Sequence, residues 1–82
     1  MKLPRDISGD ELAKRLARFG YHITRQTGSH IRLTSIVMDT EHHLTIPNHD
    51  SIKVGTFAAI LGEAAHYLQM DREELLEELF GD

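Results

Sequence analysis

The 82-residue chain has no cysteine. Neither a disulfide framework nor a zinc–thiolate site can therefore hold it together. No apolar run approaches eighteen residues and the N-terminus has no signal-peptide pattern, so the expectation is a soluble, cytoplasmic protein with no membrane contact. Aromatic residues make up only 6% of the chain, and Tyr21 alone stands among the basic strand positions. Base stacking on an aromatic platform is poorly supported by so few rings. A chain of this length has room for one modest core and one shallow site, without a deep cofactor cleft.

The charge is uneven. The formal net charge is −4, which argues against nucleic acid at first sight. Residues 1–62, however, hold eight Lys/Arg against six Asp/Glu, a balance of +2. Residues 63–82 hold one Arg against seven Asp/Glu, a balance of −6. The chain reads as a mildly basic body with an acidic tail.

Ser8 and Glu11 form a capping-box pair ahead of Leu12, Leu16 and Phe19, which predicts a helix over 9–19 closed by a left-handed Gly20. Tyr21 to Gln26 alternates and predicts a strand, followed by a tight turn at Thr27-Gly28. A second strand begins near Ser29 and reaches at least Thr34, with Ile31 and Leu33 inward and His30, Arg32 and Thr34 outward. Ile36 and Met38 break that phase, so a bulge or strand twist is expected after Thr34. A third strand runs from His42 to Ile46, with Leu44 and Ile46 inward and His43 and Thr45 outward, and Pro47-Asn48 ends it. A second helix starts near Val54–Thr56 with the stripe Phe57, Ile60, Leu61, Ala64 and Leu68. Asp71, with Glu74 three residues on, predicts a capped third helix lined by Leu75, Leu76, Leu79 and Phe80. The predicted class is α+β: α-β-β-β-α with a three-stranded antiparallel sheet, helices on one face only, and a short C-terminal helix.

His30 is the leading candidate for chemistry. An imidazole titrates near neutral pH and can take or give a proton. Gly28 leaves room for a close ligand, and Arg32, on the same face, can fork onto a phosphate. His42 and His43 are adjacent on a strand and point to opposite faces, so they do not share an ion, and no carboxylate stands at a ligand spacing. No metal site and no cofactor are expected. His49 follows the end of the third strand, where it either borders His30 or caps the next segment. Ser29 adjoins His30, but neighbours within a strand face apart, which disfavours a serine–histidine relay. The basic set Lys14, Arg15, Arg18, Arg25, Arg32 and Lys53 fits recognition of a phosphate backbone or of RNA shape.

Three ordered stretches carry a family resemblance: Arg25-Gln26-Thr27-Gly28-Ser29-His30, Leu44-Thr45-Ile46-Pro47-Asn48-His49, and Lys53-Val54-Gly55-Thr56-Phe57 with Ile60-Leu61. Together with Phe19-Gly20-Tyr21 at the end of the first helix, they make the chain resemble the HicA toxin family over about residues 8–68. The resemblance implies a double-stranded-RNA-binding-like fold in one domain over 1–82, with an added acidic helix over about 71–80. It implies an mRNA-cleaving, metal-independent endoribonuclease, with His30 catalytic and a HicB-like antitoxin as partner. Gly28, Ser29, Arg32, Arg25, Lys53, Lys14 and Arg18 are the expected RNA-binding residues. The chain departs from the family in its acidic balance, which implies fewer phosphate contacts and a weaker salt dependence. Two other roles compete with the nuclease. One is a non-catalytic RNA- or protein-binding module that uses the open face. The other is a protein-interaction domain built on the acidic tail, which would either dock a partner or pack on the body.

Overall fold

The computed structural model describes residues 3–81. The element order is α1 (Gly9–Leu16) with a 3-10 turn at Ala17–Phe19, β1 (His22–Gln26), β2 (His30–Ser35), β3 (His42–Pro47), α2 (Val54–Leu68) and α3 (Arg72–Phe80). Both hairpins are antiparallel and the sheet order is β1-β2-β3. The predicted α+β class and order are those observed.

Helix α1 starts where its cap dictates. Ser8 Oγ accepts from the Glu11 N–H at 3.0 Å, satisfying one of the unpaired first-turn donors. Only this half of the predicted box forms among the described residues, because the Glu11 carboxylate is taken by Arg15 one turn on, at 2.9 Å. Leu12, Ala13 and Leu16 face the core. A Cβ on Gly9 would collide with the Pro47 carbonyl, and the Gly9 N–H donates to His49 O at 3.0 Å. The absent side chain thus lets α1 begin directly against the end of β3. Gly20 closes the segment at φ 90°, as expected.

The inner sheet face is apolar: Ile31 and Leu33 of β2 and Leu44 and Ile46 of β3 are buried beneath α1 and α2. The predicted phase break after Thr34 is not a bulge in β2. Ile31, Leu33 and Ser35 keep one inward phase to the strand's end. Ile36 and Val37 then leave the sheet in a turn, exposed at 71% and 54%. The irregularity lies in β1, between Ile23 and Arg25.

At that end of the sheet Tyr21, His42 and Tyr67 interlock. The Tyr21 hydroxyl and His42 Nδ1 are 2.8 Å apart, and the His42 ring stacks on Tyr67 with centroids at 4.7 Å. Burial pushes the Tyr21 phenol well above its usual range, reinforced by Tyr67 and Glu63. It therefore stays protonated and donates, which makes His42 Nδ1 an acceptor. Burial also lowers the His42 pKa; Glu63 opposes the shift, and His43 and His66 add to it. A histidine with a depressed folded pKa contributes stability that is complete above its unfolded value near 6.5 and is lost as pH falls through the lower folded value. Melting temperature should therefore drop between pH 7.5 and 5. In His42→Asn, which cannot titrate, that drop should be smaller. Equal drops in the two proteins would show that His42 is not the group responsible.

The acidic C-terminal segment belongs to the core. Leu75, Leu76 and Leu79 are at most 2% exposed, and Phe80 meets Phe57 edge-on at 5.6 Å. Arg15 of α1 and Arg18 of the 3-10 turn after it donate to the carbonyls of Leu79 and Glu78 at 2.6 and 3.1 Å. Cations there satisfy unpaired carbonyls and oppose the negative end of the helix dipole. Asp71 occupies the N-cap position but its side chain makes no capping bond, so packing rather than capping fixes this helix. No helix among the described residues is long and apolar enough to cross a membrane.

Candidate active site on the open sheet face

With α1 and α2 on the inner face, the outer face of the sheet is left to polar side chains. Cross-strand register sorts them into rows: His30 opposite Pro47, then Arg25 opposite Arg32 opposite Thr45, then Thr34 between His22 and His43. Along a strand the rows are about 7 Å apart, two residues at roughly 3.3 Å each.

His30 opens β2 with its side chain exposed. Three contacts place it. The Thr27 hydroxyl accepts from the backbone N–H groups of Ser29 and His30 at 3.4 and 3.1 Å, folding the β1–β2 turn around one side chain. The Asn48 N–H donates to Ser29 O at 2.9 Å and ties the turn to the end of β3. Ser29 Oγ lies 3.0 Å from His30 Nδ1. That last contact corrects the expectation that Ser29 faces away. Ser29 precedes the strand and sits in the turn, where strand alternation does not apply. It still makes no serine–histidine relay, since no carboxylate among the described residues orients the other ring nitrogen. Nε2 is thus open to a ligand while Nδ1 is held.

The bulge in β1 decides the charge of this face. In a regular strand Arg25 would share the inward phase of Ile23. The extra residue re-aims it, so that Arg25 stands opposite Arg32 and both guanidinium groups face outward. Like charges directly opposite on a sheet are destabilising. Neither guanidinium has an ion-pair or hydrogen-bond partner among the described residues. Such an arrangement suits an anion from outside, which two forked donors can grip.

The remaining predicted site residues are placed as follows. Gly28 is exposed in the turn, outside the left-handed region, and a Cβ there would meet nothing within 4 Å, so no internal contact requires a glycine. Lys53 is exposed at the N-cap of α2, off the sheet. Lys14 pairs with Asp10 at 3.1 Å, and Arg18 is engaged at the end of α3. The structure does not bring these two to the His30 face. His49 is exposed just beyond β3, its carbonyl engaged by α1. Among the described residues no group of three His, Asp or Glu side chains is close enough to hold a metal ion.

Two positioning residues escaped the sequence reading, Thr27 and Asn48. A threonine three residues before the strand and an asparagine after proline are both turn formers. Their joint action on His30 needs the hairpin register, which no local pattern carries.

The fold is a small α+β protein: a three-stranded sheet backed by helices, whose open face carries an exposed imidazole beside two unpaired arginines. Residues 9–65 match the family of the HicA toxin of bacterial toxin–antitoxin systems, and the chain belongs to that family. It is therefore the toxin side of a toxin–antitoxin pair. No curated protein and no solved structure gives a significant match to it.

Proposed function

We propose that this toxin is a metal-independent endoribonuclease that cleaves mRNA in the cytoplasm, with His30 as its proton-transfer group. The observation that carries this reading is the unpaired Arg25–Arg32 row one step along the sheet from His30. RNA brings its own nucleophile, the 2′-hydroxyl, so the enzyme needs only to move a proton and steady the charge on phosphorus. With Nδ1–H donating to Ser29 Oγ, the free lone pair of Nε2 takes the 2′-hydroxyl proton. The 2′-oxygen bonds to phosphorus, the bond to the 5′-oxygen breaks, and water protonates the departing oxygen. Arg25 and Arg32 offset the charge that builds on the phosphoryl oxygens. The products are a 2′,3′-cyclic phosphate and a 5′-hydroxyl. Gly28 and Ser29 line the turn that the backbone would pass, and Lys53 adds charge at the helix start. Lys14 and Arg18 contribute at most long-range attraction, since each is already engaged. The partner is a HicB-like antitoxin that covers the same open face.

The test is a long unstructured RNA incubated with the purified toxin in excess EDTA. Cleavage leaving 2′,3′-cyclic phosphate ends is expected. A gel shift without cleavage would overturn the nuclease in favour of a binding module.

A further inference from the structure

Beyond His30 and the arginine row, the open face carries a continuous hydrogen-bonded chain that no step above uses. Thr24 Oγ1 lies 2.8 Å from Thr34 Oγ1, Thr34 Oγ1 lies 2.8 Å from His43 Nδ1, and His43 Nε2 lies 2.8 Å from Glu41 Oε2. It runs from the bulge residue of β1 through the Thr34–His43 cross-strand pair to Glu41, just before β3. Its second exit is weaker: Thr24 Oγ1 is 3.5 Å from Arg32 O.

The carboxylate sets the direction of this chain. Glu41 only accepts, so His43 Nε2 carries hydrogen. In the neutral ring Nδ1 then accepts, Thr34 donates to it, and Thr34 in turn accepts from Thr24. The row therefore ends on Thr24 with its lone pairs turned to the open face. Such an end repels phosphate oxygens, which also only accept, and it welcomes a hydroxyl donor. Thr34 lies four residues from His30 along β2, about 13 Å at roughly 3.3 Å per residue. That is too far for His43 to share the phosphodiester served by His30, and it suits a neighbouring nucleotide.

We propose that the Thr24–Thr34–His43–Glu41 row is a ribose subsite that accepts a hydrogen bond from the 2′-hydroxyl of a nucleotide flanking the cleaved bond. It thereby distinguishes RNA from DNA at a position where the 2′-hydroxyl is not the nucleophile. The inference rests on the ribonuclease reading for its choice of ligand, and its test is one of binding. Thr24 is exposed, so Thr24→Val removes the hydroxyl with little change of shape.

The experiment uses an RNA oligonucleotide and a set of copies, each with one 2′-deoxy position. Binding is measured to full-length protein carrying His30→Ala, alone and combined with Thr24→Val or Thr24→Ser. With Thr24 present, one deoxy position away from the cleaved bond should weaken binding by about tenfold, the scale of one lost hydrogen bond. Thr24→Val should abolish that positional effect and Thr24→Ser should restore it. A deoxy profile that is identical in all three proteins would sink the subsite, while cleavage by the unaltered toxin would leave the nuclease standing. Failure of the His30→Ala protein to bind any of the RNA copies would overturn the subsite, and the nuclease reading would fall with it only if the unaltered toxin also left RNA uncut.

Discussion

His30→Ala should lower RNA cleavage by about 10²–10⁴-fold, the usual contribution of one positioned proton-transfer group. The protein should stay folded, because the imidazole is exposed and its one side-chain contact is with Ser29. The measurement is the rate of RNA cleavage in EDTA, with circular dichroism and melting temperature recorded beside it. A folded variant that cleaves at the parental rate would remove His30 from the mechanism. His43 does not take over the role, since it lies two rows away with both ring nitrogens bonded.

Leu75→Ala should destabilise the fold by about 2–5 kcal/mol, the range for deleting a fully buried leucine side chain. Leu75 is 0% exposed, and its helix closes the core over α2. The readout is the midpoint of urea unfolding. Were the acidic helix a solvated docking element, the same change would cost within about 0.5 kcal/mol, as surface substitutions do. The two outcomes are well separated. The result also bears on how a partner should be sought. Removing residues 70–82 would strip Leu75, Leu76 and Leu79 from the core and free Arg15 and Arg18 from their carbonyl partners. Lost affinity after such a truncation would report unfolding rather than a lost docking surface. Substitutions at exposed Glu74 or Glu78 are the sounder probe of the tail's outer side.

Most of the fold was legible because it follows from short-range rules. Ser8 caps α1 through a bond spanning three residues, and the left-handed Gly20 ends it. Alternation correctly turned Ile31, Leu33, Leu44 and Ile46 inward and His30, Arg32, His43 and Thr45 outward. Local rules failed in two places. Asp71 looked like a helix cap and makes no capping bond, because the burial of three leucines already holds α3. Ile36 looked like a strand residue out of phase and is a turn residue, because its strand has already ended at Ser35.

The sequence by itself determined the element order, the inward faces of β2 and β3, and an exposed His30 with Arg32 beside it. Each of these depends on contacts within a few residues, where side-chain period and capping chemistry suffice. Only the tertiary structure decided what shares the face with them. The bulge in β1 turns Arg25 outward, the β2–β3 register aligns Thr34 with His43, and Asn48 reaches the His30 turn from another strand. It also decided that the acidic tail packs on the body. These outcomes depend on pairings between residues far apart in the chain, whose energies are set by register and packing rather than by local pattern.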